Sequence, residues 1–532
     1  MLSDIIHNEV LQFASEIPDN ICIDEYNNQN DIYGVLSFNV PTHDITTLPM
    51  FYHIMVDVSG SMSDKLCDGR TKMQLIIHTL TNILHYFAEN TQNSHIQVTG
   101  FDDNIHSYIE TTVVTKDNVD SLISKLSTMR PMNMTNIELA LNTIAESVNN
   151  NNSISEKQRA VIFLTDGDTT VGEYNPTKLS ELIPNNISFH SIALGSNHNS
   201  DIMYALGHHT PYTSSWFINE LEHTGNVYGE ILFNETHRIL NNVIIRVNNG
   251  RIFNYSSGEF ETSIYIGNLS SEMNKQYHIM SNTPSSCSIS IQGIDMYTST
   301  WLEFQAIDMT SFINSNQINT NSEEFNAHFI KKQYMRLCVQ KIMADLRLCT
   351  QLSDNRPRIA MHVFDTFKLS DHEFKKQNDY NELQNNFNQR AKHIRNIIIN
   401  YMDNNDLKED SILSGLIDDL NVIINTLTKK MDLKYTVARE ESQGRQRAYN
   451  TVSNMQDNVN DDLSLLDIRP PILQREPTSA YATPGRLDMM REISNNHEND
   501  YNRNLRAPSP AVVSPFCDED SQLNEFPALN SS

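Results

Sequence analysis

The chain has 532 residues, 39% of them hydrophobic and 20% charged, with a formal net charge of −27. That length exceeds one ordinary core and predicts two or three domains. The acidic balance argues against broad, non-specific binding to nucleic acid or to an anionic membrane surface. Six cysteines without a CxxC pair argue against a four-ligand structural zinc and for a reducing compartment.

In chain order, the N-terminal segment 1–31 lacks the basic region and unbroken apolar core of a secretory signal. No run of about 18 apolar residues predicts a membrane span. An intracellular, cytoplasmic setting follows as an expectation. Asparagine runs such as "NNNN" at 149–152 hint at an AT-rich genome, that of a protist or a large DNA virus, and in the viral case at the virion. "IYGVLSFNV" within 32–48 reads as a strand. Over 49–222 the period alternates. "FYHIMV", "HIQVTGF", "AVIFLT" and "ISFHSIAL" read as buried parallel strands. Between them, 72–89 puts Met73, Ile76, Ile77, Leu80, Leu84 and Phe87 on one helical face, and 135–148 does so with Ile137, Leu141, Ile144 and Val148. Strand alternating with helix predicts a doubly wound, mostly parallel α/β sheet.

Segment 223–322 loses the helical period and holds short strands such as "NNVIIRV", "TSIYIGNL", "KQYHIM" and "CSISIQGI". With 32–48 it predicts a β-sandwich whose first strand lies upstream of the α/β domain, which is inserted. Segment 323–436 returns to helical spacing and predicts a bundle or hairpin. Its face of Met335, Val339, Ile342 and Leu346 is either core or partner-facing. Segment 437–494 reads as partly ordered and 495–532 as a disordered tail, in which "SPAVVSP" is either plain linker or two Ser-Pro modification sites.

Ligands of a doubly wound sheet sit beyond the carboxyl ends of its strands. "DVSGS" places Asp57, Ser59 and Ser61 there, "TDGD" places Asp166, and the start of the helix near 135 brings Thr135. Five oxygen side chains suit a hard divalent cation, Mg²⁺ or Mn²⁺. The hydroxyls of Ser59, Ser61 and Thr135 would bind it, and Asp57 and Asp166 would orient coordinating waters or bind directly. The set holds no thiolate or imidazole, which argues against zinc and copper. Mostly neutral ligands leave the ion much of its charge, so a partner's Asp or Glu suits the remaining position.

"DVSGS", "MTNIELAL" and "VIFLTDGD", in this order, resemble the von Willebrand factor A domain and its metal-ion-dependent adhesion site. The resemblance covers about 51–220 and implies a Rossmann-like domain with Asp57, Ser59, Ser61, Thr135 and Asp166 at the metal. Many relatives carry Gly-Gly before the threonine, where this chain has Asn133-Met134. "TSAYATPGRLDMMREIS" (478–494) is similar to the end of the helical segment that follows the A domain in plant RING-type ubiquitin ligases, whose cysteine cluster this chain lacks.

Other readings remain open. "DVSGSMSD" alone is also a polar turn after a core strand. A haloacid-dehalogenase-type phosphatase needs a second acid where Ser59 stands, and no phosphate-binding Gly-x-x-x-x-Gly-Lys-Ser/Thr loop occurs. Asp168 reads as a turn residue, and Asp102 and Asp103 as turn residues or outer members of the metal edge. His208 and His209 read as a surface loop. Met73, Met132 and Met134 read as packing residues. The expectation is a non-enzymatic, metal-dependent module that binds an acidic protein ligand. A RING-less adaptor in ubiquitin transfer and a structural or assembly protein are the alternatives.

Overall fold

The computed structural model describes residues 7–13, 31–42, 50–66, 69–90, 94–150, 158–195, 197–219, 224–303, 307–308, 327–351, 377–428, 433–450 and 479–495. Strands β1 (His7–Phe13) and β2 (Ile32–Val40) come first. The α/β segment follows as β3 (Met50–Asp57), α1 (Lys72–Asn90), β4 (His95–Phe101), β5 (Ile105–Val113), α2 (Val119–Leu126), α3 (Ile137–Asn150), β6 (Gln158–Thr165), α4 (Pro176–Ser180), β7 (Ser188–Leu194), α5 (Ser200–Gly207), β8 (Thr213–Ile218) and α6 (Thr224–Thr236). β3 is buried at every position, as a central strand covered by helices on both faces must be.

The six strands run in the order β5-β4-β3-β6-β7-β8. All pair in parallel except β5, which returns antiparallel to β4. The chain winds outward from β3 to β4 on one side and then to β6 on the other. The order therefore reverses between β3 and β6, and a crevice opens at their carboxyl ends. Asp57 ends β3 and Thr165 ends β6, so the sequence cluster sits at that switch point.

Then come β9 (Arg238–Asn248), β10 (Arg251–Asn254), β11 (Glu259–Glu261), β12 (Ser263–Ser270), β13 (Met273–Ser281), β14 (Ser288–Asp295), β15 (Trp301–Glu303) and β16 (Ile307–Asp308). They build two antiparallel sheets, β1-β2-β13-β10-β11 and β12-β9-β14-β15, with β16 also on β14. Leu36, Phe38 and Ile279 of the first face Ile245, Val247 and Ile289 of the second in one core. β2 pairs with β13 from Ile32↔Ser281 to Val40↔Met273, so stretches on either side of the α/β segment close on each other.

Helices α7 (Ala327–Gln351), α8 (Gln377–Asn404), α9 (Ser411–Leu427) and α10 (Leu433–Arg445) share a core with Tyr33, Val35, Phe253 and Met280 of the first antiparallel sheet. Met335, Val339, Ile342 and Leu346 are all buried in it, so that helical face is core. α11 (Pro484–Asn495) packs on α1 and α6, and its Met490 and Ile493 join Ile76, Ile83, Val227 and Ile231. Gly225 and Gly229, one turn apart on α6, allow this approach. A Cβ on Gly229 would lie 2.6 Å from the Met490 Cα, and one on Gly225 2.7 Å from that of Ser494. Among the described residues no helix is long and apolar enough to cross a membrane.

Buried charge joins these parts. The Glu230 carboxylate accepts the backbone N–H groups of Ala448, at 2.8 Å, and Tyr449, at 2.6 Å. The Arg447 guanidinium lies 3.7 Å over the Trp216 ring and donates to the Ser215 carbonyl. Glu441 meets Arg445 at 2.7 Å and His208 at 2.5 Å. His208 is therefore not a free surface residue: it stacks on Tyr204 and is held by a carboxylate from the helical region.

Removing Glu230 leaves two buried amides without their acceptor and takes a negative charge from near Lys275, Arg447 and Arg486. Glu230→Ala is expected to destabilise the protein by on the order of 3 kcal/mol. Lys178→Ala, which breaks an exposed pair with Glu173, is expected to change stability little. Thermal denaturation of both variants checks this; equal shifts would contradict the role given to Glu230.

Candidate metal centre

The site begins with a carboxylate shut away from the surface. Asp57 is fully buried. Its Oδ1 accepts the Ser59 N–H at 2.8 Å and its Oδ2 accepts the Thr165 hydroxyl at 2.6 Å. The first bond bends the chain straight after β3, through extended Ser59 into a single tight helical turn over Gly60–Ser63. The bend brings the Ser59 and Ser61 hydroxyls to 3.1 Å from each other. Ser61 Oγ donates to Asp166 Oδ1 at 2.7 Å, and the Lys72 ammonium donates to Asp166 Oδ2 at 2.8 Å.

Thr135 arrives on the loop between α2 and α3. Three neighbours pin that loop: Met132 N–H donates to the Val58 carbonyl, Gly60 N–H to the Asn133 carbonyl, and Asn136 N–H to the Asp102 carbonyl. Thr135 N–H donates to the Thr170 hydroxyl at 2.9 Å. A Cβ placed on Gly167 would lie 3.7 Å from Ser61 Oγ and 3.9 Å from Thr135 Oγ1, so these two hydroxyls flank the same glycine. Asp57, Ser59, Ser61, Thr135 and Asp166 thus meet at one sheet edge.

Asn133 has φ 56°, a left-handed conformation that asparagine adopts more readily than most residues. Its side chain donates to Asp102 Oδ2 at 3.1 Å. The turn throws its neighbours outward: Met132 is 41% and Met134 57% exposed, whereas Met73 is buried. Packing holds for Met73; Met132 and Met134 instead stand as apolar groups beside the site. Asp102 is buried and also accepts the Asn104 N–H, which makes it a brace behind the Thr135 loop. Asp103 takes the exposed side-chain amide of Asn104, and Asp168, exposed, takes that of Asn199 at the start of α5.

Lys72 and Thr165 escaped the sequence reading. The available signal for Lys72 was its place four residues before Ile76, on the apolar stripe of α1. The side chain is 2% exposed and also reaches Asp64 Oδ2 at 3.2 Å. Burial works against its ammonium form, but the bonds and charges of Asp166 and Asp64 outweigh it and raise its pKa. For Asp57, burial pushes the carboxyl up to about 6; the Asp166 charge adds to the rise, and the bonds from Ser59 and Thr165 oppose it.

Among the described residues no group of three or more His, Cys, Asp or Glu could hold a metal. The donors here are hydroxyl and carboxylate oxygens, which suit hard cations. In an octahedral shell with bonds of about 2.0–2.1 Å, neighbouring oxygens sit about 2.9 Å apart. The Ser59–Ser61 separation of 3.1 Å fits such an edge. Each carboxylate oxygen of Asp57 and Asp166 already has a protein donor, so the hydroxyls are the freest direct ligands and the carboxylates supply negative charge.

The oxygen cluster lies at the switch point of a doubly wound sheet, the place where ligands of open α/β sheets sit. Residues 52–168 match the family model described as von Willebrand factor type A domain, and the chain carries such a domain. Over 159 residues it is 31% identical to the mouse inter alpha-trypsin inhibitor, heavy chain 4, a match that covers 29% of this chain and 16% of that relative. The chain therefore spans a small part of that relative's length. It is also similar to the crystal structure of the ArnB paralog VWA2 from Sulfolobus acidocaldarius, at 12% identity and TM-score 0.45, over 83% of this chain and 98% of that one. A von Willebrand factor type A structure from Catenulispora acidiphila is similar at 14% identity and TM-score 0.41, over 60% and 78%.

The raised Asp57 pKa has a sign. With a folded value of about 6 against an ordinary 3.8, protonated Asp57 supports the fold below about pH 4, and that support is lost as pH rises through 6. The difference of about 2.2 units is on the order of 3 kcal/mol. In EDTA, Asp57→Asn is expected to unfold at higher temperature than the parent at pH 7.5, with the gap closing toward pH 4. A gap independent of pH would contradict this account.

Proposed function

We propose that the domain is a metal-dependent protein-binding module. Mg²⁺, or Mn²⁺ in its place, sits at a metal-ion-dependent adhesion site made by the hydroxyls of Ser59, Ser61 and Thr135. Asp57 and Asp166 orient its waters or bind it directly. An Asp or Glu of a protein ligand completes the shell. The observation that carries this reading is the convergence of neutral hydroxyls over two buried carboxylates at the switch point. Neutral donors leave the ion charge enough to attract an anion.

The surroundings support a protein rather than a free small anion. Met132, Met134 and Tyr174 are exposed, and Tyr174 donates at 2.9 Å to the carbonyl of Thr170, whose hydroxyl accepts the Thr135 N–H. Apolar groups around a polar centre suit a protein interface. Domains of this type are typically interaction modules rather than enzymes. Buried Cys287 is a thiol outside any disulfide, which supports an intracellular setting.

The ubiquitin-adaptor reading rests on the stretch 478–494. Its described residues touch both the α/β domain, where Asn82 donates to the Ile493 carbonyl, and the antiparallel sheets, where Gly485 N–H donates to Glu272 between β12 and β13. This supports shared architecture rather than a transfer function. Adding the protein to an in vitro ubiquitination reaction is expected to leave transfer unchanged; stimulation would favour the adaptor reading.

Affinity capture from host lysate in Mg²⁺ and in EDTA, with Asp57→Ala alongside, tests the main reading. A partner retained only with Mg²⁺ and intact Asp57 is the expected result. Partners indifferent to both would overturn it.

A further inference from the structure

Resting on the metal-site reading above, we infer that Lys72 is a built-in cation that holds the intrinsic divalent affinity of this site low, so that the metal and a carboxylate ligand bind as a coupled pair. The ammonium lies 2.8 Å from Asp166 Oδ2, and the two side chains are 2% and 0% exposed. It cannot swing aside at low cost. Its backbone N–H donates to the Asp64 carbonyl at 3.0 Å, and the next residues of α1, Met73 and Ile76, are locked in the core.

The charge count decides the consequence. Asp57 and Asp166 bring two negative charges and Lys72 returns one positive charge. Asp64, the other partner of Lys72, is 55% exposed, and solvent screens it. A divalent cation entering this net −1 site leaves a surplus of +1 in a buried setting, where like charges repel strongly. An incoming carboxylate removes that surplus. Without Lys72 the two aspartates would neutralise the ion alone, and the metal would bind tightly whether or not a ligand was present. Lys72 thus turns a metal store into a metal site completed by its ligand.

A purely positioning role predicts the opposite outcome. If Lys72 served only to aim Asp166, its removal would loosen the site and weaken the metal. Titration calorimetry with Mg²⁺ alone separates the two, using the full chain and the variants Lys72→Met, Lys72→Gln and Lys72→Arg, with folding checked by circular dichroism. Lys72→Gln keeps a hydrogen-bond donor for Asp166 and loses the charge. Both neutral variants are expected to bind Mg²⁺ at least tenfold more tightly than the parent, and Lys72→Arg about as the parent does. Replacing chloride by acetate at equal ionic strength should strengthen Mg²⁺ binding in the parent more than in Lys72→Gln. Equal or weaker Mg²⁺ binding by the neutral variants overturns the role given to Lys72 and leaves the metal reading standing. If neither the parent nor the neutral variants take up Mg²⁺, and adding Asp57→Ala changes nothing, the metal reading falls and this inference falls with it.

Discussion

The two hydrogen bonds accepted by Asp57 are the constraint on which the site is built. A buried carboxylate must find donors or lose its charge. Here one donor is the amide of Ser59, two residues on, and the other is the hydroxyl of Thr165 on the adjacent strand. The first fixes the turn that carries both serines. The second ties that turn to β6, and the residue after Thr165 is Asp166. One satisfied carboxylate therefore sets the placement of the groups around it.

Charge balance forms the second layer. Burial pushes the Asp57 carboxyl up, and the charge of buried Asp166 beside it adds to the rise. Lys72 offsets part of that repulsion from the first turn of α1. Asp102 acts one step further out, where it holds Asn133 and the left-handed turn that presents Thr135. The site is thus a set of interlocked hydrogen bonds, and each charged member has a partner. Such networks hold geometry well when every member is satisfied.

The rest of the chain bears on this domain through packing. α1 carries Lys72 at its start and receives α11 along its length. Glu230, on α6 beside α11, holds the backbone of 448–449, which continues from α10. β2 and β13 close the antiparallel sheet across the α/β segment. Regions far apart in sequence are thereby joined through buried polar contacts at the junctions and apolar contacts within each layer.

Some of this was determined by sequence alone. The buried runs at 51–56 and 160–165 could satisfy their backbones only as central strands, and the apolar faces of 72–89 and 135–148 only as covering helices, so the α/β class was legible. So were the five oxygen residues, because strand ends of such a sheet point to one edge. Other features were decided by the tertiary structure. β1, β5 and β8 are specified by their neighbours in the sheet as much as by their own pattern. Met132 and Met134 look like core residues until the turn at Asn133 sends them outward. His208 finds its carboxylate more than 200 positions away, at Glu441. Lys72 finds its partner Asp166 94 positions later. Periodicity reports local burial, whereas the pairing of charges depends on contacts between distant segments that no local pattern encodes.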